Sequence, residues 1–239
     1  CGGGLRLVQR QDLREAVGAV RLVRVEAHVK FLCVPAHAFV KHVASICGRP
    51  RPPRRLPRGF GYALDRAAEA AARLGLTPEE ALGVFAEHCR CPEAFEDALW
   101  ALRALDSRGL LARRRPKTAA VRLPCGAELC VQADSTDHHK AYELKTAPPD
   151  VYTELQLALF SLAYGEVVLI YVDVVRRRLC ERVYTAVDLQ ARFPRLEEAV
   201  CAFAEGGNVY KWAQEVLCEN RGVALLEMSD VSPDACHSY

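Results

Sequence analysis

This 239-residue sequence has no CxxC pair, a single methionine and only a few lysines, and its basic residues are mostly arginine. Without CxxC spacing, a zinc ribbon or finger has no support. Nor is there an apolar run of the roughly twenty residues that a membrane-spanning helix needs. The richest stretch, Val167 to Val175, is strand-length and carries Asp173. The first residues, Cys-Gly-Gly-Gly, lack Met and lack the basic region and apolar core of a secretory leader. The expectation is a processed N-terminus, a cytoplasmic location and no membrane partner. With 51% hydrophobic and 26% charged residues, the chain is neither disordered, collagen-like nor a disulfide-stapled miniprotein.

Lys plus Arg number 32 against 30 Asp plus Glu, a formal charge of +2, so a polyanion-binding surface requires local clustering. Arg49 to Arg58, RPRPPRRLPR, is one cluster. Its prolines exclude a helix interior or central strand, leaving an extended connector that is either solvated or in contact with backbone phosphate. Arg113 to Arg115 and Arg176 to Arg178 are two more, readable equally as groove lining or as solubility devices. Eleven cysteines is a high count. Without a leader they are expected as small buried hydrophobes, because cytosolic disulfides are rare outside hyperthermophiles.

Residues up to about Gly48 mix helical and strand patterns. From Gly61 an alanine-rich helix runs to Leu74 and stops at Gly75. Thr77-Pro78-Glu79-Glu80 is a capping box opening a helix to about Cys89. A further helix starts at Pro92, with Phe95, Leu99, Leu102 and Leu105 on one face, and ends at Gly109. Leu110-Leu111-Ala112 then reads as a strand, which makes residues 77–116 winged-helix-like. From about Lys117 the period changes from 3.6 to 2. Strands are expected at 127–133, 140–146, 167–175 and 179–184, with a helix at 151–164. The fold class is therefore α/β, a mixed β-sheet flanked by helices. The expected organisation is a mostly helical region over 1–116, a core over 117–187 and a helical tail over 188–239.

Three charged residues stand out in the strand pair. Asp134 ends one strand, and Glu143 and Lys145 share a face of the next by the period of two. If the strands pair antiparallel, two carboxylates converge with an ammonium beside them. Two close carboxylates repel unless a cation sits between them, and oxygen ligands suit Mg2+ or Mn2+. A metal so held can polarise a phosphoryl oxygen and lower the pKa of bound water, with lysine assisting. A surface Glu–Lys pair is the plainer reading of the same residues. Gln156, in an apolar helix and four residues before Phe160, needs a partner if buried.

The segments VQAD ending at Asp134, YELKT around Glu143 and Lys145, and QLALF from Gln156 to Phe160 resemble the PD-(D/E)XK nucleases. Within them they are most similar to the RecB-like branch and its CRISPR-associated Cas-four exonuclease family. The resemblance covers about Cys125 to Tyr184. It implies a restriction-endonuclease-like core and a metal-dependent DNA nuclease, an exonuclease on single-stranded ends, working with other CRISPR adaptation proteins or in RecB-like DNA processing. It assigns Mg2+ or Mn2+ to Asp134 and Glu143, water activation to Lys145 and positioning to Gln156. The family has Tyr where this chain has Phe160, and an early metal-binding His where this chain offers Asp65. It also implies an iron–sulfur cluster held by one early and three closely spaced late cysteines. Cys47 is the early candidate, but Cys201, Cys218 and Cys236 are 17 and 18 residues apart. Inert or paired cysteines are the alternative there. His138 and His139 fall in the turn between the strands, as loop residues or ligands. The rival reading is a non-catalytic nucleic-acid-binding or assembly protein with an inactive nuclease fold.

Overall fold

The computed structural model describes residues 21–23, 31–48, 56–113, 117–137, 139–218 and 236–238. The chain is α/β with two mixed sheets. The first contains β1 (Arg21–Val23), β2 (Phe31–Pro35), β3 (Lys117–Arg122) and β4 (Glu128–Ala133) in the order β1-β2-β4-β3. The second runs in chain order: β5 (Ser135–Asp137), β6 (Lys140–Lys145), β7 (Glu166–Asp173), β8 (Arg178–Thr185) and β9 (Cys236–Ser238). A single residue, Asp134, separates β4 from β5, so the chain passes from one sheet to the other there.

In the second sheet β5 and β6 are antiparallel, β6 and β7 parallel, and β7 and β8 antiparallel. The parallel step needs a crossover, and α6 (Val151–Ser161) supplies it. Asp150 caps that helix by accepting from the Thr153 N–H at 2.8 Å. β7 is apolar on both faces because both faces are covered. Val167 and Leu169 enter a core shared with α1 (Ala36–Cys47), α6, α7 (Ala186–Arg192), α8 (Leu196–Ala204) and α9 (Tyr210–Ala213). Val168, Ile170 and Val172 enter a second core under α2 (Phe60–Leu74), α3 (Pro78–His88), α4 (Phe95–Ser107) and α5 (Leu110–Arg113).

The helical cover follows from local signals. Thr77 and Glu80 form the expected capping box, and Gly75 closes α2 in the left-handed region at φ 68°. An alanine stripe on α2 lets α3 and α4 pack closely, and Phe60, Leu64, Phe85 and Leu102 fill the space. Each large apolar side chain so buried contributes about 1.5–3 kcal/mol, so the helices cannot lift off the sheet cheaply. Residues 110–113 are helical where a strand was expected, and β3 pairs with β4. The described part of the winged-helix-like segment, 77–113, is helical and covers a sheet face, and residues 114–116 lie outside the described residues. Arg177, at φ 52° in the β7–β8 turn, contacts Asp97 at 2.8 Å and stacks on Trp100 at 5.3 Å. That arginine fastens the hairpin to α4 and is not part of a free groove. Arg114 and Arg115 lie outside the described residues. Among the described residues, no helix is long and apolar enough to cross a membrane.

The cysteines differ most from expectation. Disulfides join Cys33 to Cys130, Cys47 to Cys218, Cys89 to Cys91 and Cys125 to Cys201, and Cys180 is also disulfide-bonded. Three of these bonds span 97, 171 and 76 residues. Each long loop closed restricts the unfolded chain, which stabilises the fold by about 2–4 kcal/mol per bond. Sequence spacing missed them because the partners meet only after the sheets and helices assemble. Replacing Cys47 and Cys218 together by Ser is expected to lower Tm by about 4–16 °C. Equal melting of wild type and variant without reductant, or equal melting of wild type with and without it, would refute the pairing.

A buried ion pair ties α6 to α7. Glu154 is 2% exposed, and its Oε2 lies 2.9 Å from Arg192 Nε, an ion contact without good hydrogen-bond alignment. Burial pushes the Glu154 carboxyl above its ordinary 4.5, opposed by Arg192 and Arg182. Burial also pushes the neighbouring Tyr184 phenol up to about 12. Because the folded Glu154 holds its proton more tightly than the unfolded one, its contribution is present in acid and lost as pH rises above 4.5. Melting curves of wild type and Glu154→Gln should show the wild type losing ground to the variant over that rise. A difference independent of pH would contradict this assignment.

Candidate active site

β6 alternates as the period of two requires. Ala141, Glu143 and Lys145 face α6, while Tyr142 and Leu144 face the helical cover. Glu143 is 4% exposed, so its carboxylate needs partners inside the protein. Lys145 Nζ donates to Glu143 Oε1, and Gln156 Nε2 donates to the same oxygen at 2.9 Å. Lys145 Nζ also donates to Gln156 Oε1 at 3.1 Å. The three side chains form a closed triangle, built by two residues of one strand and one residue of the crossover helix. Gln156 therefore has the partner that its apolar helix demanded. Phe160, on the same helix, is 1% exposed in the core.

Asp134 stands at the sheet junction. Its Oδ2 accepts from the Leu144 N–H at 2.7 Å, within the main chain of β6. The β5–β6 register ends with Ser135 opposite Tyr142, and Asp134 is the residue just before that pair. Asp134 also borders a small cavity with Tyr142 and Leu144. It thus occupies the edge of β6, whereas Glu143 and Lys145 lie on its face. The sequence-derived quartet is divided accordingly: Glu143, Lys145 and Gln156 are in contact, and Asp134 is fastened one residue away.

The donor chemistry suits a hard cation. Mg2+ commonly takes one or two carboxylates and completes its shell with water and phosphate oxygens. Among the described residues, no group of three or more His, Cys, Asp or Glu is placed to hold a metal. Asp65 belongs to no such group, and its carboxylate lies 3.1 Å from Arg66. The cysteines do not suit an iron–sulfur cluster. Cys47 is bonded to Cys218 and Cys201 to Cys125, and a sulfur in a disulfide is not a thiolate ligand. His139 is exposed in the β5–β6 turn, and His138 lies outside the described residues.

Sequence reasoning passed over the surroundings of this triangle. β7 places Tyr171 beside Lys145 and carries Asp173, a buried carboxylate whose oxygens accept from the Arg176 N–H and guanidinium at 3.1 Å. The signal available was Asp173 itself, a charge inside an otherwise apolar strand. No protein-family model matches this chain, and no curated protein matches it.

The triangle predicts a stability effect separable from any activity. Gln156→Ala removes a donor and an acceptor from a partly buried ion pair, so it should destabilise the fold by about 1–3 kcal/mol. Urea denaturation measures this, and a variant as stable as wild type would mean the triangle is not formed in solution.

Proposed function

We propose that the chain is a divalent-metal-dependent DNA nuclease of the PD-(D/E)XK kind, RecB-like, acting as an exonuclease on single-stranded ends. The observation that carries this reading is the convergence of Lys145 and Gln156 on the buried Glu143, with Asp134 bonded to the main chain of the next residue, Leu144. Asp134 and Glu143 would hold Mg2+ or Mn2+. That ion, when bound, polarises a phosphoryl oxygen and acidifies bound water. Lys145, 27% exposed at its side chain, reaches from the triangle towards solvent, where its ammonium can orient water or stabilise charge on phosphate. Gln156 holds Lys145 and Glu143 in register. In keeping with the Cas-four resemblance, the activity would serve CRISPR spacer acquisition and antiviral defence, alongside other adaptation proteins, or related DNA processing.

One feature favours a second reading, a non-catalytic nucleic-acid-binding protein on an inactive nuclease fold. Oε1 of Glu143 already accepts from both Lys145 and Gln156, so the ion pair is satisfied without a metal. Labelled single-stranded DNA incubated with Mn2+ separates the two. Cutting by wild type, reduced about 100- to 10,000-fold in Lys145→Ala and lost in Glu143→Gln, is the expected result. Binding without cutting selects the second reading, and equal cutting by all three proteins denies the site any role.

A further inference from the structure

Cys89 and Cys91 are joined by a disulfide across a single residue, Arg90. The bonds Cys33–Cys130, Cys47–Cys218 and Cys125–Cys201 span 97, 171 and 76 residues. The stabilisation that a disulfide gives grows with the loop it closes, so a bond to the second residue along restricts the unfolded chain least. The turn around it is also held by other contacts. The Cys89 N–H donates to Phe85 O at 2.8 Å, which ends α3. Cys91 O accepts from the Ala94 N–H at 2.9 Å, within the helical turn Pro92–Ala94 that leads into α4. Phe85 and Phe95 meet edge to face at 6.1 Å and bridge the same joint. The sulfur–sulfur bond therefore adds little as a staple.

We propose that Cys89–Cys91 is a thiol–disulfide exchange site, opened and closed by a low-molecular-weight thiol and its disulfide while the fold stays intact. The proposal is independent of the nuclease reading, because the pair belongs to the second core, whereas Glu143 and Lys145 face α6. The ring that the bond closes holds two planar peptide groups and one intervening residue. Disulfides that are constrained or accessible have the more oxidising potentials and are the labile ones. Access differs between the two partners. Cys89 is 2% exposed, and Cys91 is half-buried against the same core. An incoming thiolate therefore attacks Sγ of Cys91. The Cys89–Cys91 bond breaks, a mixed disulfide forms on Cys91, and Cys89 leaves as a thiolate that takes a proton from water. The resulting thiol packs as a small apolar group. A second thiolate attacks the outer sulfur of the mixed disulfide, so that the two small thiols depart as their disulfide. Cys91 is released as a thiolate and is protonated in turn. Two electrons have passed from the thiol pair to the protein, and the reverse steps close the bond. Cys125 is exposed as well, but its bond to Cys201 ties the β3–β4 connection to α8, so exchange there opens a staple.

The test equilibrates the full-length oxidised protein with glutathione redox buffers, alkylates the free thiols and reads each cysteine by peptide mass. Cys89 and Cys91 are expected to be half reduced at a ratio of thiol to disulfide about tenfold or more below that needed by any of the three long-span pairs. The melting temperature at that ratio should match that of the oxidised protein. Two single variants, incubated with oxidised glutathione, locate the attacked sulfur. Cys89→Ala should gain an adduct on Cys91 about tenfold faster than Cys91→Ala gains one on Cys89. Reduction of Cys89–Cys91 together with or after any long-span pair overturns the proposal. So does a melting temperature that falls as this bond opens, or adducts that form equally fast in the two variants. The first two readings come from the wild-type protein, so they stand whether or not either variant folds.

Discussion

The hydrogen bond from the Leu144 N–H to Asp134 Oδ2 is the contact on which the site depends. One residue carries the chain from the first sheet into the second, and at such a junction the ladder of main-chain bonds is interrupted. An unpaired N–H at this partly buried position of β6 would cost up to about 1–3 kcal/mol. The Asp134 carboxylate fills that gap, a task that a short acceptor beside the main chain performs well. The same bond fixes where the carboxylate sits, one residue from Glu143. Structural need and the placement of a candidate ligand are thus met by one side chain.

Glu143 illustrates the complementary problem. A carboxylate almost out of water is stable only with counter-charge and hydrogen bonds. Lys145 supplies the charge from the same strand face, and Gln156 completes the set from the helix that links the parallel strands. Were Asp134 and Glu143 to hold a divalent ion, that ion would supply counter-charge at Glu143 in addition to Lys145. The same triangle without an ion is a satisfied polar cluster, so geometry of this kind is compatible with catalysis and with a retired site.

Covalent links reinforce this arrangement from outside. Cys33–Cys130 joins β2 to β4 next to the junction, and Cys47–Cys218 ties α1 to the turn after α9. Cys125–Cys201 fastens the β3–β4 connection to α8. All three link parts of the chain far apart in sequence around the first core. The cysteine expected as a cluster ligand is thereby used as a staple.

Local patterns in the sequence determined most elements: the strands at 128–133, 140–145, 166–173 and 178–185, the capping box at Thr77 and Glu80, and the shared face of Glu143 and Lys145. These depend on periods of 2 and 3.6 and on capping chemistry, which act over a few residues. Tertiary structure alone decided what lies between distant segments. It made residues 110–113 a helix on a covered sheet face, bonded cysteines up to 171 residues apart, and turned Arg177 inward to Asp97 and Trp100. It also set Gln156 against Glu143 and opened a cavity at the carboxyl ends of β6 and β7. Such contacts form when two sheets and two helical layers close around separate cores, and no local window of residues contains that geometry.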